Sequence, residues 1–488
     1  MVHIRRFAFR VAAALVYVSF VQAQTISSVC QRISNSISLA SSVFYDPEPS
    51  YLADIYHYAE SSSQTSVCSV EPGTAEDVGI VLTILGSTRT LFGIKGGGHI
   101  MNPNYSSTAG VQISMSRFTA VDYDSSTGTV VVGAGNIWDN VYEALLPYNV
   151  NVVGGRVSGI GVAGYTLGGG YSYLTNQYGL TIDTVRVFEL VLPNGTVTNV
   201  TESKHPDLFF ALKGGYNNYG IVTGFTYQTY PQGLVWGGQN IYLGQYVDQI
   251  NAATADFANN VTDPKAALIT TYDYQDGVFV ISVLMFYDAP TQPAGIFDGF
   301  LTVPALSADV STRDYLDLVL TENTSTSANM RGYYNTVPLM DITLPLLEAV
   351  VSQLQYWQSI LSSDSGTLFS YDVEPFLPTI LTHGSPSAYP WTRAERFLPL
   401  NVYFAWTDAA DDSDFYNALV ATAANLTAVA VSEGQVLVPV APHYPNYALY
   451  GTSLASIWGT SLGEMIVVKE ECDPHNVMGL TGGWKIPI

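Results

Sequence analysis

IKGGGH, at residues 94–99, places three consecutive glycines and a histidine directly after an apolar segment. Glycine loses more conformational entropy on folding than any other residue. A run of three therefore indicates a backbone that needs positive φ angles or that lies very close to another group. A β-turn beside a surface histidine would also explain this stretch, so a second observation is needed.

A second glycine-rich stretch, GGRVSGIGVAGYTLGGG at residues 154–170, follows further along the chain. Two separated groups of exposed backbone N–H donors can bind phosphate oxygens as anion-binding nests. The pair therefore predicts a large cofactor with two phosphates. It also makes the β-turn explanation of IKGGGH less favoured.

Part of the second stretch matches the dinucleotide-binding pattern G-x-G-x-x-G. The match is GIGVAG at residues 159–164, and Asp183 lies near the spacing expected of a ribose-binding acid. That pattern has to open a helix, but three more glycines at 168–170 lie where the first helical turns should be. We therefore reject a nicotinamide-dinucleotide fold.

The composition is that of a large, folded and strongly acidic protein. The chain has 488 residues, of which 47% are hydrophobic and 12% are charged, so it can form two domains with a substantial core. Its net charge of −23 disfavours nucleic acid and membranes as partners. Residues 1–23 have the pattern of a secretory signal peptide, with three arginines before an apolar run. Cleavage would remove those arginines and change the net charge to about −26.

Sequons and cysteines agree with a secreted, extracellular glycoprotein, which we expect to be a monomer. The chain has three cysteines, so one disulfide is possible. Cys30 and Cys68 lie near each other in the sequence, and an oxidising compartment favours their pairing. Cys472 is then expected to be a buried free thiol. The six N-x-S/T sequons begin at Asn104, Asn194, Asn199, Asn260, Asn323 and Asn425.

Patterns typical of metal sites do not occur in the sequence. The seven histidines show neither H-E-x-x-H nor another paired spacing, and the cysteines are scattered. We therefore predict no metal site.

Local patterns predict helices and strands around the first glycine stretch. Thr74 begins a capping box before a predicted helix at 75–85, and a strand at 91–94 leads into IKGGGH. Further predicted elements are a helix at 30–42, a helix at 137–146 capped by Asn136, a strand at 151–153, a hairpin of strands 183–191 and 196–200, a strand at 278–286, and helices at 346–361 and 412–432.

Changes in composition divide the chain into domains. After residue 231 the sequence becomes richer in tyrosine and in longer helical patterns, and after residue 441 it is again rich in glycine and aromatic residues. We therefore predict a cofactor-binding domain at 24–231, a substrate-binding domain at 232–441, and a return to the first domain at 442–488.

Four motifs occur in an order that resembles a known family. They are similar to motifs of the vanillyl-alcohol oxidase and p-cresol methylhydroxylase superfamily, in its berberine-bridge-enzyme-like branch of FAD oxidases. The resemblance implies an α+β fold in which both chain ends form an FAD-binding domain, with an inserted substrate domain made of an antiparallel sheet and helices. The motifs are FGIKGGGHIMNP (92–103), GGRVSGIGVAGYTLGGGYSYLTNQYGLTID (154–183), DLFFALKGGYNNYGIVTGF (207–225), and YPNY (444–447) with ECDPHNVM (471–478).

The resemblance also implies which residues would bind FAD. His99 matches the histidine that is covalently bonded to the flavin 8α-methyl group in this family, although some relatives bind FAD without that bond. Relatives with a second tether have a cysteine where this chain has Val157, so we expect one linkage at most. Ile160 matches a position that influences access of dioxygen to the flavin. The implied FAD-binding residues are Lys95, Gly96, Gly97, Gly98, His99, Asn102, Val157, Ser158, Gly159, Ile160, Gly161, Gly164, Gly168, Gly169, Gly220, Ile221 and Val222.

Candidate catalytic residues follow from the same resemblance. Tyr447 matches a C-terminal tyrosine that often faces the flavin, with Asn446 beside it. We predict Tyr447 to be a base or a substrate hydrogen-bond partner, since a phenol is a poor base without a stabilising cation. A core aromatic role is the alternative. Tyr165 is a further candidate for the cleft, as is Tyr403 on the predicted strand at 400–406, which could instead be an ordinary strand residue.

The predicted function is that of a secreted FAD-dependent oxidoreductase. We expect it to oxidise a small-molecule alcohol or a sugar hemiacetal by hydride transfer, with dioxygen as acceptor and hydrogen peroxide as product. A dehydrogenase with another acceptor stays open. Two alternatives are an oxidase or oxidative cyclase of secondary metabolites and a non-catalytic protein that binds FAD.

Overall fold

The structure is a computed structural model that describes residues 26–275, 277–322 and 328–488. The predicted signal peptide and the sequon at Asn323 lie outside the described residues. The other five sequon asparagines are exposed.

The helices of the described chain are mostly short before residue 240 and longer after it. They are α1 (26–34), α2 (Pro49–Ile55), α3 (Ala75–Thr88), α4 (Trp138–Leu145), α5 (Val162–Leu167), α6 (Thr175–Tyr178), α7 (Pro206–Leu212), α8 (Val247–Asn260), α9 (Asp298–Leu301), α10 (Tyr315–Val319), α11 (Leu344–Leu361), α12 (Asp412–Ser432), α13 (Leu454–Trp458) and α14 (Leu462–Cys472).

The strands form three larger sheets and one two-stranded ribbon. They are β1 (Ser42–Phe44), β2 (Cys68–Glu71), β3 (Phe92–Lys95), β4 (Val111–Ser114), β5 (Val121–Asp124), β6 (Thr129–Gly133), β7 (Val150–Asn151), β8 (Val185–Val191), β9 (Val197–Val200), β10 (Ile221–Gln228), β11 (Tyr230–Pro231), β12 (Val235–Leu243), β13 (Ala266–Gln275), β14 (Val278–Tyr287), β15 (Ser307–Arg313), β16 (Arg331–Leu339), β17 (Gly366–Val373) and β18 (Leu398–Trp406).

The first sheet places IKGGGH at a strand end. Its order is β1-β2-β4-β3, with β2, β4 and β3 parallel and β1 antiparallel at one edge. The helix α3 connects β2 to β3, and the Thr74 side chain caps it by accepting a hydrogen bond from the Asp77 backbone N–H. Ligands of α/β proteins collect at the carboxyl ends of parallel strands, where the glycine run begins.

The second sheet is antiparallel and lies in the same half of the chain. Its order is β5-β6-β10-β8-β9, and β8 and β9 form the predicted hairpin. The C-terminal segment returns to this half, because Thr481 pairs with Phe92, the first residue of β3, and the Trp484 carbonyl accepts a hydrogen bond from the Asn218 side chain. Both chain ends therefore contribute to the part that contains the glycine stretches.

The third sheet has seven antiparallel strands in the order β15-β12-β14-β13-β17-β18-β16. The helices α11 and α12 pack on it, through contacts of α11 with β13 and β17 and of α12 with β16 and β18. Helix α8 packs against α11 in the same layer. This helical layer covers one face of the sheet and leaves the other face toward the glycine stretches. The expected α+β fold with an inserted antiparallel domain is confirmed.

One helix of this layer would be long and apolar enough to cross a membrane. Within the described residues, the segment Ala409–Ser432 has the necessary length and composition. In the fold, α12 buries one face, which includes Phe415, Leu419 and Leu426, against the sheet and α11. That packing places these apolar residues in the core of the fold.

Several local predictions are wrong in detail. The predicted helix at 30–42 is the shorter α1, which ends at residue 34 before a series of turns. Asn136 does not cap α4, because its side chain donates to the carbonyls of Ala120 and Gly133. The strand expected at 151–153 is only the short β7.

The cysteines pair as the sequence predicts, but the third is less enclosed. Cys30 and Cys68 form a disulfide that connects α1 to β2. Cys472 is free and only half-buried at the end of α14, because just part of that helix faces the core. The expectation of a buried thiol is therefore wrong.

Candidate active site

A cavity of about 420 Å³ lies between the two glycine stretches and the open face of the seven-stranded sheet. Residues from both halves of the chain and from the C-terminal segment line it. Such a cavity, with apolar walls and a few convergent polar groups, is typical of small-molecule sites.

The two glycine stretches touch each other at Gly97 and Gly161. A Cβ added to Gly97 would lie 2.5 Å from the Cα of Gly161, and a Cβ added to Gly161 would lie 2.6 Å from the Cα of Gly97. Only glycine permits this approach of two backbones. Gly98 has a φ of +73°, and Gly164 faces open space inside the cavity. The two stretches therefore form one cradle, which removes the β-turn explanation.

The helix that follows this cradle differs from the expectation that the glycines at 168–170 prevent one. A helix does open after Gly161, since α5 covers Val162–Leu167. It ends at Gly168, before the glycine run could extend it. The rejected dinucleotide pattern thus opens a single short helix, and the fold around it is not a doubly wound parallel sheet.

His99 lines the cavity at the end of the first glycine stretch. Its ring stacks on Tyr58 with centroids 4.2 Å apart. Its Nε2 atom is buried and has no hydrogen-bond partner. Burial lowers the pKa of His99 to about 4, so the imidazole is neutral at physiological pH. A neutral ring with an unpaired nitrogen is a competent nucleophile.

The open face of the seven-stranded sheet presents two rows of polar side chains. Strand register aligns Thr271 of β13 with Asp372 of β17 and Asp372 with Asn401 of β18. Because side chains alternate between faces with a period of two, the row two positions along faces the cavity as well. That second row consists of Asp273, Ser370 and Tyr403.

An ion pair connects the second glycine stretch to this sheet. Arg156 Nη2 lies 2.6 Å from a carboxylate oxygen of Glu374, and the side chains are 7% and 1% exposed. The Tyr447 hydroxyl donates to Glu374 Oε1 at 2.9 Å and accepts from Arg156 Nη2 at 3.2 Å. Arg156, Glu374 and Tyr447 thus form one closed triad on the cavity wall.

The ionisation of this triad is set by burial and by its own charges. Burial raises the pKa of Tyr447 well above the usual range; the Glu374 charge adds to this and Arg156 opposes it. Burial also raises the pKa of the Glu374 carboxyl, against the lowering effect of Arg156. Tyr447 therefore stays protonated, and its hydroxyl donates a hydrogen bond to Glu374. This favours the hydrogen-bonding role predicted for Tyr447 over the role of a free base.

Further carboxylates surround the polar rows. Burial raises the pKa of Asp273 to about 8, with the charges of Asp372 and Glu322 adding to the effect. Burial likewise raises the pKa of Glu322 to about 7, with Asp372 adding to it. These three side chains line the same part of the cavity.

The structure brings most predicted site residues together. The predicted residues that line the cavity are Gly96, Gly97, Gly98, His99, Val157, Ile160, Gly161, Gly164, Gly220, Ile221, Val222, Tyr165, Tyr403, Asn446 and Tyr447. Two of these use their polar groups elsewhere. Asn446 donates to the Tyr165 carbonyl and the Tyr444 hydroxyl, and the Tyr165 hydroxyl donates to the Tyr171 carbonyl. Their geometry fits positioning roles.

Six predicted FAD-binding residues lie outside the cavity lining. Lys95 donates to the Ala53 carbonyl at 2.7 Å, and Asn102 donates to the Ala448 carbonyl at 2.9 Å. Their side chains therefore join backbone segments around the cavity. In the loop before α5, the Asp139 carboxylate accepts hydrogen bonds from the Ser158 hydroxyl and the Gly159 backbone N–H. The six residues are Lys95, Asn102, Ser158, Gly159, Gly168 and Gly169.

The sequence prediction missed the charged part of the site. Arg156 lay inside a quoted motif, but nothing in the sequence indicated that its partner was Glu374. Asp273, Glu322 and Asp372 carried no motif. One signal in the sequence could have indicated them: polar residues occupy alternate positions in β13 and β17, which are otherwise apolar.

Comparison with known proteins agrees with this geometry. Residues 67–201 match the family model of an FAD binding domain. The chain is 30% identical to the FAD-dependent monooxygenase sdcF of Emericella nidulans over 95% of this chain and 99% of that protein. The xylooligosaccharide oxidase of Myceliophthora thermophila has the same fold, with a TM-score of 0.75 at 17% identity, covering 95% of this chain and 100% of the other. Berberine bridge enzyme gives a TM-score of 0.75 at 15% identity, covering 95% and 98%.

The chain belongs to the FAD-linked oxidoreductases, and its fold is the vanillyl-alcohol oxidase fold of berberine bridge enzyme. This confirms the family and the FAD cofactor expected from the sequence. For other curated relatives the matched part is shorter and spans about half of the relative, 52% and 51% of its length in two cases.

The residues of the cavity fit FAD. The joined glycine stretches offer a cradle that a side chain would fill, as the contacts at Gly97 and Gly161 show. The buried Nε2 of His99 lacks a partner inside the same cavity. Gly220 and Ile221 add backbone at the start of β10 on another wall.

Proposed function

We propose that this protein is a secreted FAD-dependent oxidase that oxidises an alcohol group of a small organic molecule or saccharide, with dioxygen as acceptor and hydrogen peroxide as product. The observation that carries the proposal is a single cavity that joins the FAD cradle and His99 to the Arg156–Glu374–Tyr447 triad. Bound FAD would supply the acceptor for the substrate hydride.

The chain would hold FAD through the backbone of the two glycine stretches. Backbone N–H groups in such loops bind phosphate oxygens without any side-chain charge. His99 would tether the flavin, because its ring is neutral and its Nε2 has no competing partner. Val157 has no thiol, so a second tether is not available at that position.

The triad would accept the proton of the substrate hydroxyl. Tyr447 would receive a hydrogen bond from that hydroxyl while its own proton lies toward Glu374 Oε1, 2.9 Å away. Transfer of the hydroxyl proton to Tyr447, and of the Tyr447 proton to Glu374, would neutralise the Glu374 carboxylate, whose pKa burial already raises. Arg156, 2.6 Å from Glu374, would keep its positive charge beside the site. Tyr403, at the edge of the same wall and in contact with Tyr334, would orient the substrate ring.

Oxygen insertion into the substrate is a second candidate activity. It is favoured by the name of the relative that aligns along 99% of its own length, which is a monooxygenase. The two activities differ in the fate of dioxygen. An oxidase forms one peroxide per oxidised substrate, whereas a monooxygenase transfers one oxygen atom to the product.

Mixing the purified protein with substrates under anaerobic conditions tests the proposal. We expect benzyl alcohol or xylobiose to bleach the flavin absorbance and subsequent air to restore it with release of peroxide. Incorporation of labelled oxygen into the product with little peroxide would support the monooxygenase instead. A flavin that neither compound class nor a mild reductant bleaches would indicate a non-catalytic protein.

Secretion and glycosylation form part of the proposal. Asn104, Asn194, Asn199, Asn260 and Asn425 are all exposed, which is what glycosylation requires. A mass decrease after treatment of the secreted protein with a glycosidase is the expected result. Retention of an unmodified protein inside the producing cell would contradict this part.

A further inference from the structure

One part of the cavity wall presents three carboxylates and an amide, to which the protein donates hydrogen bonds only from uncharged side chains, among them Thr271, Ser370 and Gln239. It comprises the carboxylates of Asp273, Asp372 and Glu322, together with the Asn401 side chain; we call it the acceptor wall. Asp273 and Asp372 come from neighbouring strands β13 and β17, and Glu322 lies after α10. Besides the larger effect of burial, the charge of Asp372 raises the pKa of both Asp273 and Glu322, and the charge of Glu322 raises the pKa of Asp273.

Asn401 supplies an independent observation at this wall. Its Nδ2 donates to Asp372 Oδ2 at 2.9 Å, which fixes the orientation of the amide. Its Oδ1 is buried and has no hydrogen-bond partner, and the residue is only 4% exposed. A buried acceptor without a donor is unfavourable, because it has lost its hydrogen bonds to water without replacement. The ligand that enters this part of the cavity is therefore expected to bring a donor.

The charges of the wall are not balanced by the protein. Arg156 is the one lysine or arginine among the cavity-lining residues that the structure describes, and it pairs with Glu374. Within the described chain, no group of these side chains is arranged to hold a metal ion. A positively charged donor would satisfy both the carboxylates and Asn401 Oδ1.

We propose that the acceptor wall binds a protonated amine, so that the substrate of this enzyme, or a group attached to its reacting alcohol, is cationic. This inference rests on the proposed function, because it assigns a substrate class to the same cavity. An ammonium group has three donors and no acceptor, which matches a wall of acceptors. The aromatic rings of Tyr403 and Tyr334 beside the wall offer further attraction for a cation.

A neutral polyol would satisfy the same acceptors less completely. Its hydroxyls can donate to the carboxylates, but they leave the repulsion between Asp273, Asp372 and Glu322 unchanged. A cation instead stabilises the ionised forms, so its binding should release protons near neutral pH, where Asp273 has a pKa of about 8. The titratable groups that face this space are Asp273 on β13, Asp372 on β17, Glu374 directly after β17, Glu322 after α10, Tyr403 on β18, Tyr334 on β16, and Arg156.

The test compares two probes that differ in charge but are nearly equal in size. Tyramine carries an ammonium group where 4-(2-hydroxyethyl)phenol carries a hydroxyl. Each would be titrated into the anaerobic holoenzyme at about pH 7.5, with the flavin difference spectrum as the binding signal. We expect tyramine to bind at least about tenfold more tightly, which is about 1.4 kcal/mol, and to release protons on binding.

Two variants connect that preference to the wall. Asp273→Asn and Glu322→Gln should each reduce the affinity for tyramine by about three- to tenfold, because a charge-assisted hydrogen bond becomes a neutral one. Glu348→Gln, which changes an exposed carboxylate on α11, is the matched control and should leave the preference unchanged. The flavin spectrum of each variant verifies that it is folded.

Equal affinities for the two probes, or no binding of tyramine, would overturn the inference. So would a preference for tyramine that persists in the double variant Asp273→Asn/Glu322→Gln. The result is separable from the proposed activity. A flavin that no alcohol bleaches would refute the oxidase while leaving the amine preference intact, and bleaching by alcohols without an amine preference would do the reverse.

Discussion

The substitution Asp273→Asn should make the protein more stable at about pH 8 but not at about pH 4. The pKa of Asp273 is raised in the fold to about 8 from 3.8, mainly by burial. A carboxyl whose folded pKa is raised stabilises the fold fully below its unfolded pKa. That contribution is lost as the pH rises through the folded pKa. The wild type should therefore lose stability relative to the variant between about pH 4 and pH 8.

The size of the effect follows from the pKa shift and the position of the side chain. The full shift corresponds to about 6 kcal/mol, at about 1.36 kcal/mol per pKa unit. Asp273 is only half-buried and faces a cavity that admits water, so we take less than half, about 2 kcal/mol. A change of that size raises the unfolding temperature of a domain of roughly 200 residues by about 4–8 °C.

Thermal unfolding of the holoprotein across this pH range provides the assay. The variant should unfold at the same temperature as the wild type near pH 4 and several degrees higher near pH 8. Glu348→Gln on the exposed side of α11 should follow the wild type throughout. A difference between Asp273→Asn and wild type that does not depend on pH would refute the reasoning, because it could not come from titration of this carboxyl.

Three further predictions concern the FAD cradle, the triad and the first sheet. Glu374→Gln should slow anaerobic flavin reduction by about 10²- to 10⁴-fold with FAD still bound, and an unchanged rate would exclude Glu374 as proton acceptor. Gly97→Ala should abolish FAD binding, since its Cβ would lie 2.5 Å from the Cα of Gly161. Gly233→Ala is the control, because a Cβ at Gly233 would meet open space. Full flavin content in Gly97→Ala would contradict the cradle. Thr74→Ala should destabilise the fold by about 0.5–2 kcal/mol through loss of the α3 cap, measured by chemical denaturation, and no change would contradict the capping role.

The sequence predicted those parts of the fold that depend on local signals. The capping residue Thr74, the hairpin of β8 and β9 and the glycine stretches all lie within short segments, and the structure has each of them. The helix expected at 30–42 failed, because its apolar spacing continues past residue 34 while the chain already turns toward β1. Periodicity alone does not locate such an end.

The polar half of the site was beyond sequence reasoning for a different reason. Arg156, Glu374 and Tyr447 are far apart in the chain, and they meet only because the C-terminal segment and β17 reach the second glycine stretch. The alignment of Asp372 with Asn401 depends on the register of β17 and β18, which no single strand specifies.

The acceptor wall also illustrates a conflict between stability and function. Carboxylates whose pKa is raised by burial are unfavourable for the fold near neutral pH, and a neutral side chain at Asp273 should relieve this. The same change should weaken binding of a cationic ligand. Residues that destabilise a fold in this way are typical of binding sites.

We propose that FAD occupies the cavity and is tethered to His99. The most direct measurement is acid precipitation of the purified protein, followed by mass spectrometry of the tryptic peptide that contains His99. We expect yellow colour in the precipitate and the mass of FAD on that peptide, with the colour lost from the precipitate of His99→Ala. Free FAD in the supernatant of the wild type would contradict the tether, and a protein without any flavin would contradict the claim as a whole.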